Sequence, residues 1–158
     1  MKLNKEIGQL KIYFASPWFK PDQVEREERV KSKLRQLGFN VWSPKDNCVC
    51  SSVASEEIRN KVFLENVNNI FDADIIFAIT DGKDMGTIWE SGYACGLNRI
   101  RDDKIIIVYY CETLGPNGQF NLMLAQSGNI IITDFKELDE LPKLILSGKG
   151  KEYVGIIE

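Results

Sequence analysis

The chain has 158 residues, of which 44% are hydrophobic and 27% charged, a composition typical of one globular domain spanning residues 1–158. The net charge of −3 and the lack of a dense Lys/Arg run argue against a nucleic acid polymer as partner, whereas a nucleoside or nucleotide stays compatible. The sequence contains no histidine, which excludes histidine-based triads, metal sites and proton shuttles. Acid–base chemistry must therefore come from carboxylates, Tyr, Lys or Cys.

Four cysteines are present, Cys48, Cys50, Cys95 and Cys111. The first two form a C-x-C pattern without a second pair of ligands, so we expect reduced thiols and no metal site. The N-terminal segment MKLNKEIGQL lacks the apolar core of a signal peptide. No apolar run approaches the roughly 18 residues of a membrane span. We therefore expect a cytoplasmic protein with no membrane partner.

Short β-branched or aromatic runs alternate with longer helical stretches along the chain. The sequence first predicts a strand at Leu10–Ala15, a helix at Pro21–Leu37, a strand at Phe39–Ser43, a loop at Asp46–Ser55 and a helix at Glu56–Phe71 with an apolar stripe of Ile58, Val62, Val67 and Ile70. It then predicts a strand at Asp74–Thr80, a helix at Thr87–Asn98, a strand at Lys104–Tyr110, a turn at Gly115–Gly118, a short helix at Phe120–Gln126, a strand at Asn129–Thr133 and a last helix at Phe135–Leu146.

Five strands that alternate with helices predict an α/β fold, a parallel sheet with helices on both faces. The run Asp74–Thr80 is continuously apolar, as expected of a strand that is buried on both faces. Ligands of such sheets bind beyond the carboxyl ends of the strands. We therefore expect the functional site in the loops that follow Ala15, Ser43, Thr80 and Tyr110.

Two carboxylates, Asp84 and Glu90, lie in the segment DGKDMGTIWESGYA that follows the third predicted strand. Carboxylates beside one cleft can divide a nucleophilic role from a binding or proton-transfer role. The alternative is structural, because Thr87-x-x-Glu90 fits a helix capping box in which Glu90 bonds back to the backbone of Thr87. The spacing alone favours the capping box.

Two further features are ambiguous. The loop after the first strand carries Trp18 and Phe19, whose flat faces suit stacking on a base. The alternative is burial in the core, which is more usual for Phe19 than for Trp18. On the second long helix, Asn66 lies one turn from Ile70 on the apolar stripe, so it is either a satisfied buried amide or a site residue that faces the cleft.

Five short segments, taken together and in their order along the chain, resemble the motifs of a known protein family. They are IYFASPWF (Ile12–Phe19), SPKDN (Ser43–Asn47), ADIIFAI (Ala73–Ile79), DMGTIWESGYA (Asp84–Ala94) and NLM (Asn121–Met123). Together they resemble the nucleoside 2-deoxyribosyltransferase family, and the fourth segment followed by NLM is fairly specific. The resemblance implies a flavodoxin-like, five-stranded parallel sheet and the exchange of purine or pyrimidine free bases on 2′-deoxynucleosides.

The same resemblance implies roles for individual residues. Glu90 would be the nucleophile that forms a deoxyribosyl ester, which a second base resolves with net retention. Tyr13 would orient Glu90, and Asp84 would bind the base or pass a proton to it. The implied substrate-binding residues are Ser16, Trp18, Phe19, Asn47, Asn66, Gly86, Asn121 and Met123. This mechanism needs no metal and no cofactor.

A homo-oligomer is also implied, expected as a hexamer that is a trimer of dimers. Asn121 and Met123 would reach into the site of a neighbouring subunit, where Asn121 contacts the 5′-hydroxyl of the sugar. The alternative is that Leu122 and Met123 merely cover the sheet of their own subunit.

One residue departs from the family pattern, since Asn66 stands where the family usually has Asp. An amide can hydrogen-bond a base but cannot donate a proton as a general acid, so proton transfer would fall to Asp84.

Two other functions stay open. A 2′-deoxynucleoside 5′-monophosphate N-glycosidase would use water and need a phosphate cradle, for which Gly86 and Thr87 qualify, although the NLM segment favours the transferase. A non-catalytic nucleotide-binding domain would also be consistent with Asn66.

Overall fold

The computed structural model describes residues 4–115 and 118–158. Its main sheet has five parallel strands, β1 (Lys11–Ala15), β2 (Asn40–Trp42), β3 (Ile75–Ile79), β4 (Ile106–Tyr110) and β6 (Ile130–Ile132). Their order across the sheet is β2-β1-β3-β4-β6. The chain therefore winds outward from β1 in one direction and from β3 in the other, which makes the β1/β3 junction the topological switch point where ligands bind in such folds.

Helices cover both faces of this sheet. They are α1 (Pro21–Gln36), α2 (Pro44–Asn47), α3 (Glu56–Phe71), α4 (Met85–Leu97), α5 (Leu122–Ser127) and α6 (Leu141–Ser147), with 3-10 turns at Ile7–Gln9 and Phe135–Glu140. None of the helices in the described part of the chain has both the length and the apolar character needed to cross a bilayer. The predicted α/β fold, a parallel five-stranded sheet between helices, is confirmed.

The core is divided in two by the sheet, because successive strand residues point to opposite faces. Ile12 and Phe14 of β1 pack with α1 and α6 on one face. Tyr13 and Ala15 pack with α3 and α4 on the other face. Tyr13 is thus fully buried on the α4 face. The family resemblance places this residue beside Glu90.

Several local predictions were wrong. The loop predicted at Asp46–Ser55 begins with the end of α2, whose first turn carries Pro44, a residue suited to that position. The last predicted helix divides into a 3-10 turn and α6, which has Pro142 in its own first turn. On α3 only Ile70 of the predicted stripe is buried, while Ile58 is exposed.

A second, two-stranded parallel sheet was not predicted. It joins β5 (Gln119–Phe120), where the sequence analysis began a helix, to β7 (Ile156–Ile157). The helix that follows begins only at Leu122. The turn predicted at Gly115–Gly118 includes positions 116 and 117, which lie outside the described residues.

Candidate active site

Three side chains from different elements meet beside the switch point. The Tyr13 hydroxyl, at the centre of β1, donates to Glu90 Oε1 at 2.6 Å. Glu90 comes from the second turn of α4, and Asn66 comes from the third turn of α3, with its Oδ1 3.1 Å from the same hydroxyl. The fold therefore brings together residues that are separated by up to 77 positions in the sequence.

Glu90 does not form a capping box. The N-cap of α4 is Asp84, whose Oδ2 accepts from the Thr87 backbone N–H at 2.8 Å and from the Thr87 hydroxyl at 3.0 Å. Thr87 is therefore the third residue of the helix and not its cap. The interpretation that the spacing favoured is wrong, and the Glu90 carboxylate bonds to a tyrosine across the sheet instead.

The loop between β3 and α4 is shaped to present this cap. Gly82 and Lys83 both adopt positive φ angles, 81° and 53°, which turn the chain from the sheet into the helix. A positive φ is uncommon for a residue with a side chain such as Lys83, and local strain of this kind clusters at functional sites. A Cβ at Gly86 would lie 3.2 Å from Asp84 Oδ2, so glycine leaves room for the cap.

The surroundings of Glu90 favour its neutral form more than water does. Burial raises the pKa of Glu90 from 4.5 to about 7, the Tyr13 hydrogen bond lowers it, and the charge of Asp84 raises it. Burial and the charge of Glu90 also raise the pKa of Tyr13 far above its ordinary value. Tyr13 therefore stays a hydrogen-bond donor, and Glu90 is a carboxylate whose charge is poorly solvated.

Asn66 is a satisfied, half-buried amide that contacts Tyr13. Its Nδ2 donates to the Val62 carbonyl at 3.0 Å, and its Oδ1 lies 3.3 Å from Cys48 Sγ. Burial raises the pKa of the Cys48 thiol to about 11, which keeps it a donor. Of the two alternatives from the sequence, the structure therefore bears out the satisfied amide. The Cys48 contact was missed, because nothing in a C-x-C pattern indicates a partner on a helix.

A buried ion network holds the segment that carries Cys48. Glu27 of α1 is fully buried and accepts from Lys31 Nζ at 2.8 Å and Lys45 Nζ at 3.1 Å. Lys31 also contacts Asp46 at 2.7 Å, so α2 is tied to α1 on both sides. Buried charges require such pairing, and breaking one partner is costly. Asn47, on the same short helix, is exposed and donates to the Ser43 carbonyl at 2.8 Å.

The loop after β1 supplies one polar atom and two aromatic rings. Ser16 Oγ is buried with no hydrogen-bond partner among the described residues, an arrangement that leaves it available to a polar ligand atom. Trp18 is half-buried, whereas Phe19 is 72% exposed and stacks on Trp18 with ring centroids 5.6 Å apart. The core location expected as more usual for Phe19 is therefore wrong. Trp42, which was not predicted as a site residue, stacks on Tyr13 with the ring centroids 5.2 Å apart.

Asn121 and Met123 lie at the start of α5, beside a cavity. Asn121 is the N-cap of α5, its Oδ1 accepting from the backbone N–H of Met123 at 3.0 Å, and both side chains are exposed. They line a cavity of about 810 Å³ together with residues of the loops after β3 and β4, and neither Glu90 nor Tyr13 lines it. Ile88 of α4 lines the same cavity, so the NLM segment shares it with the helix that carries Glu90.

Asp81 connects the loop after β3, in which it lies, to the loop after β4, and both loops border this cavity. It is buried and accepts from the backbone N–H groups of Glu112 at 3.2 Å and Thr113 at 2.8 Å. Asp81 was not among the predicted site residues, although a carboxylate just after a fully buried strand indicates a position beside the site. Among the described residues, no group of three or more Cys, Asp or Glu side chains is arranged to hold a metal ion.

Comparisons with known proteins show the family of the chain. The chain is similar over 91% of its length to 99% of a 2-deoxyribosyltransferase from the psychrotolerant bacterium Bacillus psychrosaccharolyticus, with 29% identity and a TM-score of 0.75. A conserved protein from Enterococcus faecalis V583 shares the fold at 20% identity and a TM-score of 0.56, over 94% of this chain and 81% of that one. No curated protein sequence matches significantly. The family model for nucleoside 2-deoxyribosyltransferase matches residues 12–141, a range that includes Tyr13, Asn66, Glu90 and Asn121, and the chain belongs to that family.

Proposed function

We propose that the protein exchanges the base of 2′-deoxynucleosides through a covalent deoxyribosyl ester on Glu90, with net retention at the anomeric carbon. The observation that carries this proposal is the 2.6 Å hydrogen bond by which Tyr13 fixes a half-buried carboxylate at the switch point of the sheet. A desolvated carboxylate is a stronger nucleophile than a hydrated one, and its orientation by a second group is the usual arrangement of an activated nucleophile.

The chemistry takes two displacements. An oxygen of Glu90 attacks C1′ of the deoxyribose while the bond from C1′ to the base nitrogen breaks, and the base leaves with the electron pair and takes up one proton at that nitrogen. A second base then attacks C1′ from the opposite side, loses its N–H proton and releases the carboxylate, so that the protons balance over the exchange and two inversions give retention. Asp84 Oδ2 is engaged with Thr87, which leaves Oδ1 to accept a hydrogen bond from an N–H of the base.

At the start of α4, one of the two groups considered for a phosphate cradle is already engaged, which supports the transferase over the N-glycosidase. A phosphate cradle at the start of α4 would need free backbone N–H groups. The Thr87 N–H is already taken by Asp84, and a carboxylate at that helix end repels a phosphate. The same helix end suits a neutral nucleoside.

Incubation with deoxyinosine and free adenine tests the proposal. Chromatography should detect deoxyadenosine and hypoxanthine, and none should form with Glu90→Ala. Glu57→Ala, a change of an exposed carboxylate on α3, is the matched control and should behave as the wild type. Hypoxanthine without deoxyadenosine would indicate a hydrolase, and no product would indicate a binding domain. Acid-quenched protein should carry a deoxyribosyl mass increment that is absent from Glu90→Ala.

We also propose that the active species is a homo-oligomer, a hexamer built as a trimer of dimers, whose sites are completed by Asn121 and Met123 of a neighbour. Met123 is 74% exposed and so is available to a neighbouring subunit. The outer face of α4 carries an exposed stripe of Met85, Trp89, Gly92, Gly96 and, just beyond the helix, Ile100. Apolar surface of this kind marks association sites.

Mixed oligomers test the shared site. Asn121→Ser keeps a residue type suited to the N-cap of α5, so a loss of activity would report the lost amide and not an unravelled helix. Glu90→Ala and Asn121→Ser should each be inactive alone, and activity should partly return after their subunits exchange. Exchange confirmed by native mass spectrometry without returning activity would contradict the shared site, as would a fully active monomer.

A further inference from the structure

The Tyr13 hydroxyl has one proton and two acceptors within reach. Its oxygen lies 2.6 Å from Glu90 Oε1 and 3.1 Å from Asn66 Oδ1. A phenol donates a single hydrogen bond, so the two acceptors compete for it. Burial and the negative charge of Glu90 raise the pKa of Tyr13, which keeps that proton on the phenol throughout.

The orientation of the Asn66 amide is fixed by its other contacts. Nδ2 donates to the Val62 carbonyl at 3.0 Å, and a flipped amide would place Oδ1 against that carbonyl oxygen. The Cys48 thiol, 3.3 Å from Oδ1, favours the same orientation. The acceptor oxygen of Asn66 therefore faces Tyr13 in a manner that local packing determines, and it is available whenever the Tyr13 proton turns away from Glu90.

The charge of Glu90 decides which acceptor holds the proton. A carboxylate is a stronger acceptor than a neutral amide, and the shorter of the two distances is the one to Glu90. Once Glu90 carries the sugar, its oxygens belong to a neutral ester and that advantage disappears. The balance then moves toward Asn66 Oδ1.

We propose that Asn66 is a positioning residue that accepts the Tyr13 hydrogen bond while Glu90 is esterified and returns it when the carboxylate is released. This inference rests on the proposed covalent mechanism. The bond that forms is C1′–O of Glu90 and the bond that breaks is C1′–N of the base. The O–H bond of Tyr13 does not break, so the exchange of acceptors needs no external acid or base.

An amide is better suited to this role than the carboxylate that the family usually has at position 66. An ionised Asp would be a second anion beside Glu90, and it would compete for the Tyr13 proton even in the free enzyme. Asn66 is neutral, so it becomes the preferred acceptor only after Glu90 has lost its charge. The departure from the family pattern is thereby given a function in this chain.

A double-mutant cycle on the amount of esterified enzyme tests the proposal. Wild type, Asn66→Leu, Tyr13→Phe and the double variant are equilibrated with deoxyinosine and a fixed amount of hypoxanthine, acid-quenched and measured by intact mass spectrometry. Asn66→Leu should lower the ratio of esterified to free enzyme about fivefold, the size of one neutral hydrogen bond. In the Tyr13→Phe background, where no proton needs an acceptor, it should change the ratio by less than about twofold.

Controls separate this role from others. Asn68→Leu, at an exposed position on the same helix, should leave the ratio unchanged. Cys48→Ala should lower the ratio slightly and only when Tyr13 is present. If Asn66→Leu does not fold by circular dichroism, Asn66→Ala replaces it in the cycle.

The outcomes distinguish this inference from the function on which it rests. An equal loss in both backgrounds would show that Asn66 contacts the substrate directly, and an unchanged ratio would show that it has no such role; either result overturns the inference. Wild-type protein that forms neither ester nor exchanged nucleoside would overturn the proposed function and this inference with it.

Discussion

Replacing Glu90 by Gln should stabilise the protein above neutral pH, because it removes a partly desolvated charge and keeps the shape of the side chain. Burial raises the pKa of Glu90 from 4.5 to about 7, with the Tyr13 hydrogen bond opposing this and the charge of Asp84 adding to it. A raised pKa in the folded state means that ionisation costs more free energy in the folded chain than in the unfolded chain.

The magnitude follows from the two pKa values. The wild type loses stability relative to Glu90→Gln as pH rises from 4.5 to about 7, and the loss is complete above that range. At about 1.36 kcal/mol per pH unit the loss is roughly 3 kcal/mol. For a chain of this size that corresponds to a melting temperature roughly 6–12 °C higher for Glu90→Gln.

Urea denaturation of both proteins at about pH 4 and about pH 9 measures the difference. We expect the two proteins to have equal free energies of unfolding at the lower pH, and Glu90→Gln to be the more stable one at the higher pH. Glu90→Gln should not catalyse base exchange at either pH. Glu57→Gln, an exposed change, should show no such pH dependence. A Glu90→Gln protein that is equally or less stable than the wild type at about pH 9 would refute the picture of Glu90 as a desolvated charge.

Three further changes give specific expectations. Tyr13→Phe removes the hydrogen bond that lowers the pKa of Glu90, so the acidic limb of the pH–rate profile for base exchange should move to higher pH and the neutral-pH rate should fall at least about tenfold. Asn66→Asp introduces a second carboxylate near the Tyr13 hydroxyl and should move the same limb upward, and a profile that coincides with the wild type would contradict this. Asp84→Ala should lower the free energy of unfolding by about 0.5–2 kcal/mol in urea denaturation because α4 loses its N-cap, while Asp84→Asn, which keeps a good cap, should change it much less.

The fold could be predicted because it depends on hydrophobicity patterns within short segments of the sequence. β3 is apolar at every position and is buried at every position, so its place inside a parallel sheet followed directly. The helix α3 was predicted with its observed bounds, Glu56–Phe71. Its buried face was not, because Ile58 and Phe63 remain exposed within a single subunit.

The site was less accessible to sequence reasoning. Thr87-x-x-Glu90 fits the capping-box pattern, but Asp84 is also a good N-cap residue, and the helix begins directly after Asp84. The partnership of Tyr13 and Glu90 was implied by the family resemblance and not by spacing. β5 and β7 have two residues each, too few to give a strand pattern, and their pairing depends on contacts between distant parts of the chain.

The small sheet of β5 and β7 has a consequence for the order in which the protein matures. Gln119 pairs with Ile156, 37 positions later, and the Leu122 backbone N–H donates to the Glu158 carbonyl at 2.8 Å. On the ribosome, β7 emerges only after the main sheet has all its strands, since β6 ends at Ile132. Pairings over long sequence separations also form late for entropic reasons. The segment that presents Asn121 is therefore fixed later than the five strands of the main sheet.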